Sequence, residues 1–520
     1  MRYQATKLPS HPANLCADAL ALTLAVTLPL YMPNGYVGLI GEKFSLLLSC
    51  ALVGTVALAV CLLAARRSRA VLHPATPVWL WPVGLCASYT VAWFMAEDRY
   101  TAFWGLTGRK NGLLQLLVCT LVYLILTAFA TSDGMALMLG ALTAAGVAVT
   151  GISWLNYWMI DPLDAYYTFL PERGELFLGT MGNINFYGAL LCICVPLAAG
   201  AYLWQGSGWR HWRFWVVLFL CSGLIPAGSD GAWLGCGVAV AALCCASRTT
   251  TRTLGRLMAL LAGIMACGAI TWLLGLAAEA RSELRTISAL LANPLILLPG
   301  ALCALAAWLL LRREERPAAV PARAVAGALV LAAAVAVLAA NLLPSCPAFL
   351  SALHFDERWG ANRGYAWQKL WVIYTQDLSL PQMLFGLGGD AVSARLSPDV
   401  ESVRYMILLN GETFDSAHNE FLQHLVCGGA LGLVCWCGFL FTAICRGIRN
   451  QPAVAAALVG YGVQSFFSIS MPGALPLVFV LAAAAGLKPG RAASGALVRG
   501  TAAVGLLLAA LLFIPYVPIA

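Results

Sequence analysis

Asp415-Ser-Ala-His-Asn-Glu-Phe-Leu-Gln-His-Leu-Val-Cys-Gly-Gly-Ala-Leu-Gly432 follows the longest polar segment of the chain and opens an apolar run that lasts to about Cys445. A histidine, an asparagine and two carboxylates therefore crowd the mouth of a helix apolar enough to enter a bilayer. Polar and charged groups at that depth are costly and tend to mark function. Gly428, Gly429 and Gly432 leave room for another backbone to approach closely. A structural alternative stands beside this reading: Ser416 or Asp415 caps the helix and His418 is merely exposed.

The rest of the chain has the same character. Of its 520 residues, 61% are hydrophobic and only 10% are charged, against about 25% charged in soluble domains. Apolar runs lie near 14–31, 44–65, 78–96, 112–130, 134–155, 186–204, 213–228, 231–247, 256–278, 292–311, 324–343, 418–445, 453–470, 473–487 and 501–517. Segments of this length span a bilayer as helices, so the expected fold is an all-α polytopic membrane protein with about 13–15 transmembrane helices. The short alternating segments of a β-barrel are missing. The pairs 213–228/231–247 and 453–470/473–487 are joined so tightly that either reads as re-entrant or broken helices. The chain divides into N-terminal transmembrane helices (1–343), one long extracytoplasmic loop (344–417) and C-terminal transmembrane helices (418–520).

The net charge of +8 is unevenly spread. With a cytoplasmic N-terminus, the cytoplasmic turns hold 19 of the 31 basic residues and only 4 of the 23 acids. The positive-inside rule supports that orientation. The basic clusters therefore read as topology signals, which leaves no nucleic-acid partner. The first apolar run has no small-residue cleavage site leading to a soluble domain and reads as a retained span. Nearly all of the 18 cysteines fall inside apolar runs. Even the close pairs Cys192/Cys194 and Cys435/Cys437 have no His or carboxylate companions, so no metal and no cofactor is expected.

Four stretches ahead of the helix mouth carry polar residues of interest. Residues 97–112 end in Arg109 and Lys110 between Gly108 and Gly112, read either as interfacial snorkelling or as an anion contact. Gly179-Thr-Met-Gly-Asn-Ile-Asn-Phe-Tyr-Gly188 places Asn183 and Asn185 at a helix mouth, as caps or as ligands. Asp230 stands in Ala227-Gly-Ser-Asp-Gly-Ala-Trp-Leu-Gly235. Residues 356–374 read as a helix whose stripe of Trp367, Leu370, Trp371 and Tyr374 suits the membrane interface. Arg358 and Arg363 lie in its first turns, and Arg363 could equally pair with Asp356 or Glu357.

Ala417-His-Asn-Glu-Phe-Leu-Gln423, followed by Gly429-Ala-Leu-Gly-Leu433, resembles the signature of the O-antigen ligase and O-antigen polymerase superfamily. These are bacterial membrane glycosyltransferases of the glycosyltransferase C kind. The order of acidic residue, aromatic segment, Gly, Arg, Gly at 97–112, the Asn-x-Asn at 183–185 and Phe385-Gly-Leu-Gly-Gly389 are similar to the family as well. Two departures stand out: Ile184 replaces a proline, and Asp230 replaces an arginine thought to hold the lipid diphosphate. An aspartate repels a diphosphate, so that role does not pass to residue 230.

The resemblance implies a metal-independent inverting transfer. The donor would be an undecaprenyl-diphosphate-linked glycan and the acceptor a glycan or other molecule, at the outer face of a bacterial cytoplasmic membrane. It implies His418 as the base and Arg363 as the diphosphate ligand, since a guanidinium fork matches phosphate oxygens. Arg109, Lys110, Asn183, Asn185, Arg358, Asn419 and Glu420 are the expected substrate-binding residues. A transporter or flippase of lipid-linked glycans is the alternative, but it needs polar groups deep within several spans, whereas most charges here lie at span ends. A structural scaffold is a third possibility, against which the long polar loop and its histidine argue.

Overall fold

The computed structural model describes residues 12–64, 77–166, 171–205, 211–246, 249–318, 322–343, 346–396 and 414–487. The chain is an all-α polytopic membrane protein. Among the described residues, nine helices are long and apolar enough to cross a membrane, and four shorter apolar ones accompany them. The expected run 501–517 lies outside the described residues.

The helices are α1 (Pro12–Leu30), α2 (Leu39–Ala64), α3 (Leu80–Met95), α4 (Leu113–Phe129), α5 (Ser132–Tyr157), α6 (Ile184–Gln205), α7 (Trp212–Ser222), α8 (Asp230–Ala246), α9 (Thr251–Gly275), α10 (Leu297–Arg312), α11 (Ala322–Leu342), α12 (Trp359–Val372), α13 (Glu420–Asn450), α14 (Pro452–Ser465) and α15 (Leu475–Gly486). Helix α6 is buried along most of its length and packs on α8 and α14, while α13 packs on α3, α14 and α15. By contrast, α10 and α11 expose Leu298, Leu302, Leu329 and Val330. In water such faces would be a liability. Against lipid they meet their own kind, and close packing rather than hydrophobicity selects the helix contacts.

Two buried charges join helix ends. Asp18 accepts hydrogen bonds from the Thr131 amide (2.8 Å) and hydroxyl (2.6 Å) at the start of α5. Lys43 donates to the carbonyl of Leu28 (2.5 Å) near the end of α1. An anion at a helix start and a cation at a helix end both match the helix dipole. These charges therefore have structural partners, in keeping with a bundle whose remaining charges sit at helix ends.

The pair 453–470/473–487 is shorter than a membrane. Helices α14 and α15 have 14 and 12 residues, about 21 and 18 Å at 1.5 Å per residue, against a hydrocarbon core of about 30 Å. Their connection, 466–474, is pulled into the bundle, with Ser468, Ile469, Ser470 and Met471 buried. The re-entrant reading fits this geometry.

Helix α13 kinks at Gly429, whose φ of 68° is left-handed. There the Phe385–Gly389 turn lies directly on the helix backbone. The amides of Leu387 and Gly388 donate to the carbonyls of Val426 and Cys427, each at 3.0 Å. A Cβ on Gly429 would fall 2.3 Å from the Leu384 backbone, and one on Gly386 would fall 2.3 Å from Cys427. Of the three glycines expected to allow a close approach, Gly429 meets a backbone, that of the segment 384–389, whereas Gly428 and Gly432 leave room for the Tyr89 side chain. Gly429→Ala is expected to lower stability by about 2 kcal/mol or more, seen as a clear drop in the melting temperature of the detergent-purified protein. An unchanged melting temperature would mean that the two backbones are not in contact.

The interfacial stripe requires correction. Helix α12 carries left-handed backbone at Gly360, Ala361 and Asn362 and becomes regular only from Arg363. Leu370 and Tyr374 are buried, and only Trp371 is well exposed. The Trp367 indole N–H donates to the Ala417 carbonyl (2.8 Å), and the Tyr374 hydroxyl to that of Met383 (2.9 Å). Apart from Trp371, the stripe therefore packs inward, against the segments that carry Ala417 and Met383. Periodicity gives a face but not what covers it.

Candidate active site

The described parts of the connections 96–112, 158–166, 171–183, 223–229, 346–396, 414–419 and 466–474 gather at one end of the bundle. Helix α13 begins there, and its N-cap is Asn419, not Asp415 or Ser416. The Asn419 side-chain oxygen accepts from the amides of Phe421 and Leu422, both at 3.0 Å. One residue earlier, His418 has φ of 47°. A non-glycine residue in the left-handed region costs free energy, and such sites concentrate where function holds them in place. The ring is half-buried and meets Phe414 edge-on at 5.7 Å between centroids.

Three charges surround this imidazole. Arg109 grips Asp415 with two parallel bonds, Nε to Oδ2 and Nη2 to Oδ1, each 2.7 Å. Its side chain is only 17% exposed. A planar fork on a carboxylate is the strongest ion-pair geometry. Burial pushes the Asp415 carboxyl up, but the Arg109 pairing outweighs it and holds the group below its ordinary value. Burial first, then the Arg363 and Arg109 guanidiniums, push His418 down to about 4, with Asp415 pulling the other way. At neutral pH the imidazole is neutral and able to accept a proton.

Arg363 is half-buried and forms no ion pair among the described residues, so the pairing with Asp356 or Glu357 does not occur. Burial lowers its pKa, yet a guanidinium stays protonated. Lys110 is also half-buried and, like Arg363, has no ion-pair partner among the described residues. Arg358 is exposed at the rim.

The remaining expected residues serve the frame. Asn183 ends a two-residue strand, Gly182–Asn183, paired antiparallel to Phe177–Leu178. Its side-chain oxygen accepts from the Asn185 amide at 2.8 Å, the bond of a helix cap. Asn185 accepts from the Ser229 hydroxyl (2.9 Å) through its side chain and from Gln464 (3.0 Å) through its carbonyl. It thereby ties the start of α6 to α8 and α14. Phe186 lies 6.0 Å under the Arg109 guanidinium, which links this frame to the charge cluster. Glu420 turns inward, 1% exposed, and accepts from Tyr461 at 3.3 Å. Asp230 is an exposed first-turn residue of α8, where a carboxylate suits the helix dipole.

Asp390 was not anticipated. It is 2% exposed, and its Oδ2 accepts from the amides of Leu106 (2.8 Å) and Asn111 (3.0 Å). It therefore shapes the loop that presents Arg109. A lone aspartate just after Gly386–Gly389 gives no sequence signal of a contact so far away in the chain. Burial raises its pKa to about 6. A raised folded-state pKa means that stability is present at low pH and is lost as pH rises from about 4 to about 6. Asp390→Asn keeps an oxygen acceptor and is expected to abolish that decline. Asp390→Ala leaves two buried amides unmet, at about 1–3 kcal/mol each, and should loosen Arg109. Melting temperatures measured across that pH range separate these outcomes; identical profiles for all three proteins would refute the role.

Among the described residues, no group of three or more His, Cys, Asp or Glu could hold a metal ion. What the cluster offers is a neutral acceptor of protons beside a guanidinium that has no ion-pair partner among the described residues, with Asp415 close enough to balance a transient imidazolium.

Residues 285–437 match the O-antigen ligase family. No curated protein matches the chain. The match supports the O-antigen ligase and polymerase superfamily and an O-antigen ligase-like role in glycan transfer. The matched stretch includes Arg358, Arg363, the Phe385–Gly389 turn, Asp390, Asp415, His418, Asn419 and Glu420. Arg109, Lys110, Asn183, Asn185 and Asp230 lie outside it and reach the same end of the bundle only through the fold.

Proposed function

We propose that the chain transfers a glycan from undecaprenyl diphosphate to an acceptor hydroxyl at the outer face of a bacterial cytoplasmic membrane, with its N-terminus in the cytoplasm. The observation that carries this reading is the juxtaposition of a neutral, strained His418 with Arg363, which has no ion-pair partner among the described residues, in the stretch that matches the ligase family. The acceptor oxygen attacks the anomeric carbon while its proton passes to the His418 imidazole. The bond from that carbon to the phosphate oxygen breaks, and the diphosphate leaves with the electron pair. Attack opposite the leaving group inverts the anomeric centre. Arg363 receives the developing negative charge, and Asp415, held by Arg109, balances the imidazolium. Every group in this scheme is a side chain of the chain itself, without metal or cofactor. Asn183, Asn185, Asn419 and Glu420 support the site by holding its frame, and Arg358 and Lys110 line the approach.

The test is the profile of lipid-linked glycans in cells lacking the protein, with rescue by the wild type but not by His418→Ala. Long lipid-linked chains left without an acceptor would identify a ligase, and accumulated single repeat units a polymerase. An unchanged profile would refute glycan transfer.

A further inference from the structure

Gln423 lies in the first turn of α13 and has no part in the transfer scheme. It is buried, and its side-chain oxygen accepts from the Ala417 amide at 2.9 Å. The side chain thus reaches back past the Asn419 cap. Where a helix start is stapled, the residue four past the cap packs an apolar side chain on the residue just before the cap. Here the residue before the cap is His418. The contact from Gln423 is a hydrogen bond instead, and it skips the histidine to hold its predecessor.

Ala417 is buried and held at both of its polar backbone groups. Gln423 takes its N–H, and the Trp367 indole N–H donates to its carbonyl at 2.8 Å. On the other side Asn419 is fixed by its two capping bonds. His418 is the one residue between these fixed points, and its φ is 47°. A left-handed conformation in a residue other than glycine persists only where the surroundings over-determine it. Gln423, Trp367 and Asn419 are those surroundings. A buried amide that loses its acceptor is costly to leave unmet, so without Gln423 the 417–418 backbone gains from moving.

We propose that Gln423 and Trp367 are positioning residues for His418. By gripping Ala417 from its two sides they keep the histidine backbone left-handed and its ring against Phe414. The effect on rate rests on the transfer reading above, whereas the control of His418 by the two side chains does not. Released from that grip, the imidazole leaves its place beside Arg363, Arg109 and Asp415, and its proton affinity returns towards that of a free imidazole.

The test uses the full chain in nanodiscs. Gln423→Met keeps the length of the side chain and removes the accepting oxygen. Trp367→Phe keeps an aromatic ring among Phe355, Trp359 and Phe466 and removes the indole N–H. The first readout is the titration of His418, followed by NMR on histidine-labelled protein and assigned by difference from His418→Ala. The wild type should titrate at about 4, and each variant should titrate higher, towards 6.5. The second readout is single-turnover transfer from an undecaprenyl-diphosphate-linked glycan, with the affinity for undecaprenyl diphosphate measured beside it. Gln423→Met is expected to slow transfer by about 10- to 100-fold, the loss when a catalytic group is displaced by about an ångström, and to leave the affinity unchanged. In the His418→Ala background it should cost nothing further, because changes that act through one group do not add. A His418 titration that stays in place in folded Gln423→Met overturns the inference. An equal loss of rate in the His418→Ala background overturns it too. Should Gln423→Met not fold, Trp367→Phe decides by the same two outcomes. If the titration moves while His418→Ala transfers glycan at the wild-type rate, the functional reading fails and the positioning of His418 stands.

Discussion

His418→Ala is expected to slow glycan transfer by about 10²–10⁴-fold, the usual loss when a positioned general base is removed, while the lipid-linked donor still binds. The expectation follows from where the imidazole stands. It lies one residue before the Asn419 cap, in a left-handed backbone conformation, and contacts Phe414 through its ring. It does not cap the helix, so its removal leaves the two capping bonds of Asn419 in place. Equilibrium binding of the donor and single-turnover rates on the folded variant separate the two effects. Near-normal turnover in His418→Ala would place the base elsewhere.

The same histidine sets a pH signature. Its pKa is pushed down to about 4, so the base stays neutral and active far below the 6.5 of a free imidazole. The acid limb of kcat/KM should therefore fall near pH 4. Because the folded-state value is depressed, the associated stability is present above about 6.5 and is lost as pH falls towards 4. Arg363→Gln removes one of the two cations that depress it and should move the limb upward. A limb at 6.5 in the wild type, unmoved by Arg363→Gln, would show that His418 is not the titrating base.

Much of this architecture is readable from composition and run length, because a bilayer imposes both. Fourteen of the fifteen apolar runs fall on helices, and the last lies outside the described residues. The residues proposed for the site stand out in the sequence where local chemistry marks them: a histidine beside carboxylates at a helix mouth, and an arginine near aromatic residues. The arrangement was not legible where the deciding contact spans hundreds of residues. Arg109 and Asp415 are 306 positions apart, and Asp390 reaches the Leu106 amide across 284. Nor does a helical period reveal burial. The stripe of α12 has the spacing of an interfacial helix, yet Leu370 is in the core, because the left-handed run at Gly360–Asn362 redirects the chain before the helix starts. Asn183 and Asn419 carry capping bonds that sequence alone leaves open, since a good helix cap and a good sugar ligand are the same side chain.

Arg363→Ala is expected to weaken donor binding by roughly 10- to 100-fold, the range for losing a charge-assisted hydrogen bond, and to slow transfer as well. Arg109 is a poorer candidate for this duty, because its fork already closes on Asp415 with two 2.7 Å bonds. Arg363 has no ion-pair partner among the described residues and is half-buried. A partly desolvated cation is costly on its own and becomes favourable when an anion arrives. That difference in free energy is available to bind a diphosphate and, more strongly, the leaving diphosphate of the transition state. Lysine at 363 restores the charge but not the planar pair of donors, so Arg363→Lys should recover only part of both losses. If charge alone mattered, the lysine variant would match the wild type. If Arg363→Ala binds donor normally, the diphosphate ligand lies elsewhere and Lys110 becomes the next candidate, being half-buried at the same mouth. Donor affinity and turnover measured on all three proteins decide among these cases, and only a graded order of wild type, lysine and alanine in both quantities fits a bidentate guanidinium on the departing phosphate.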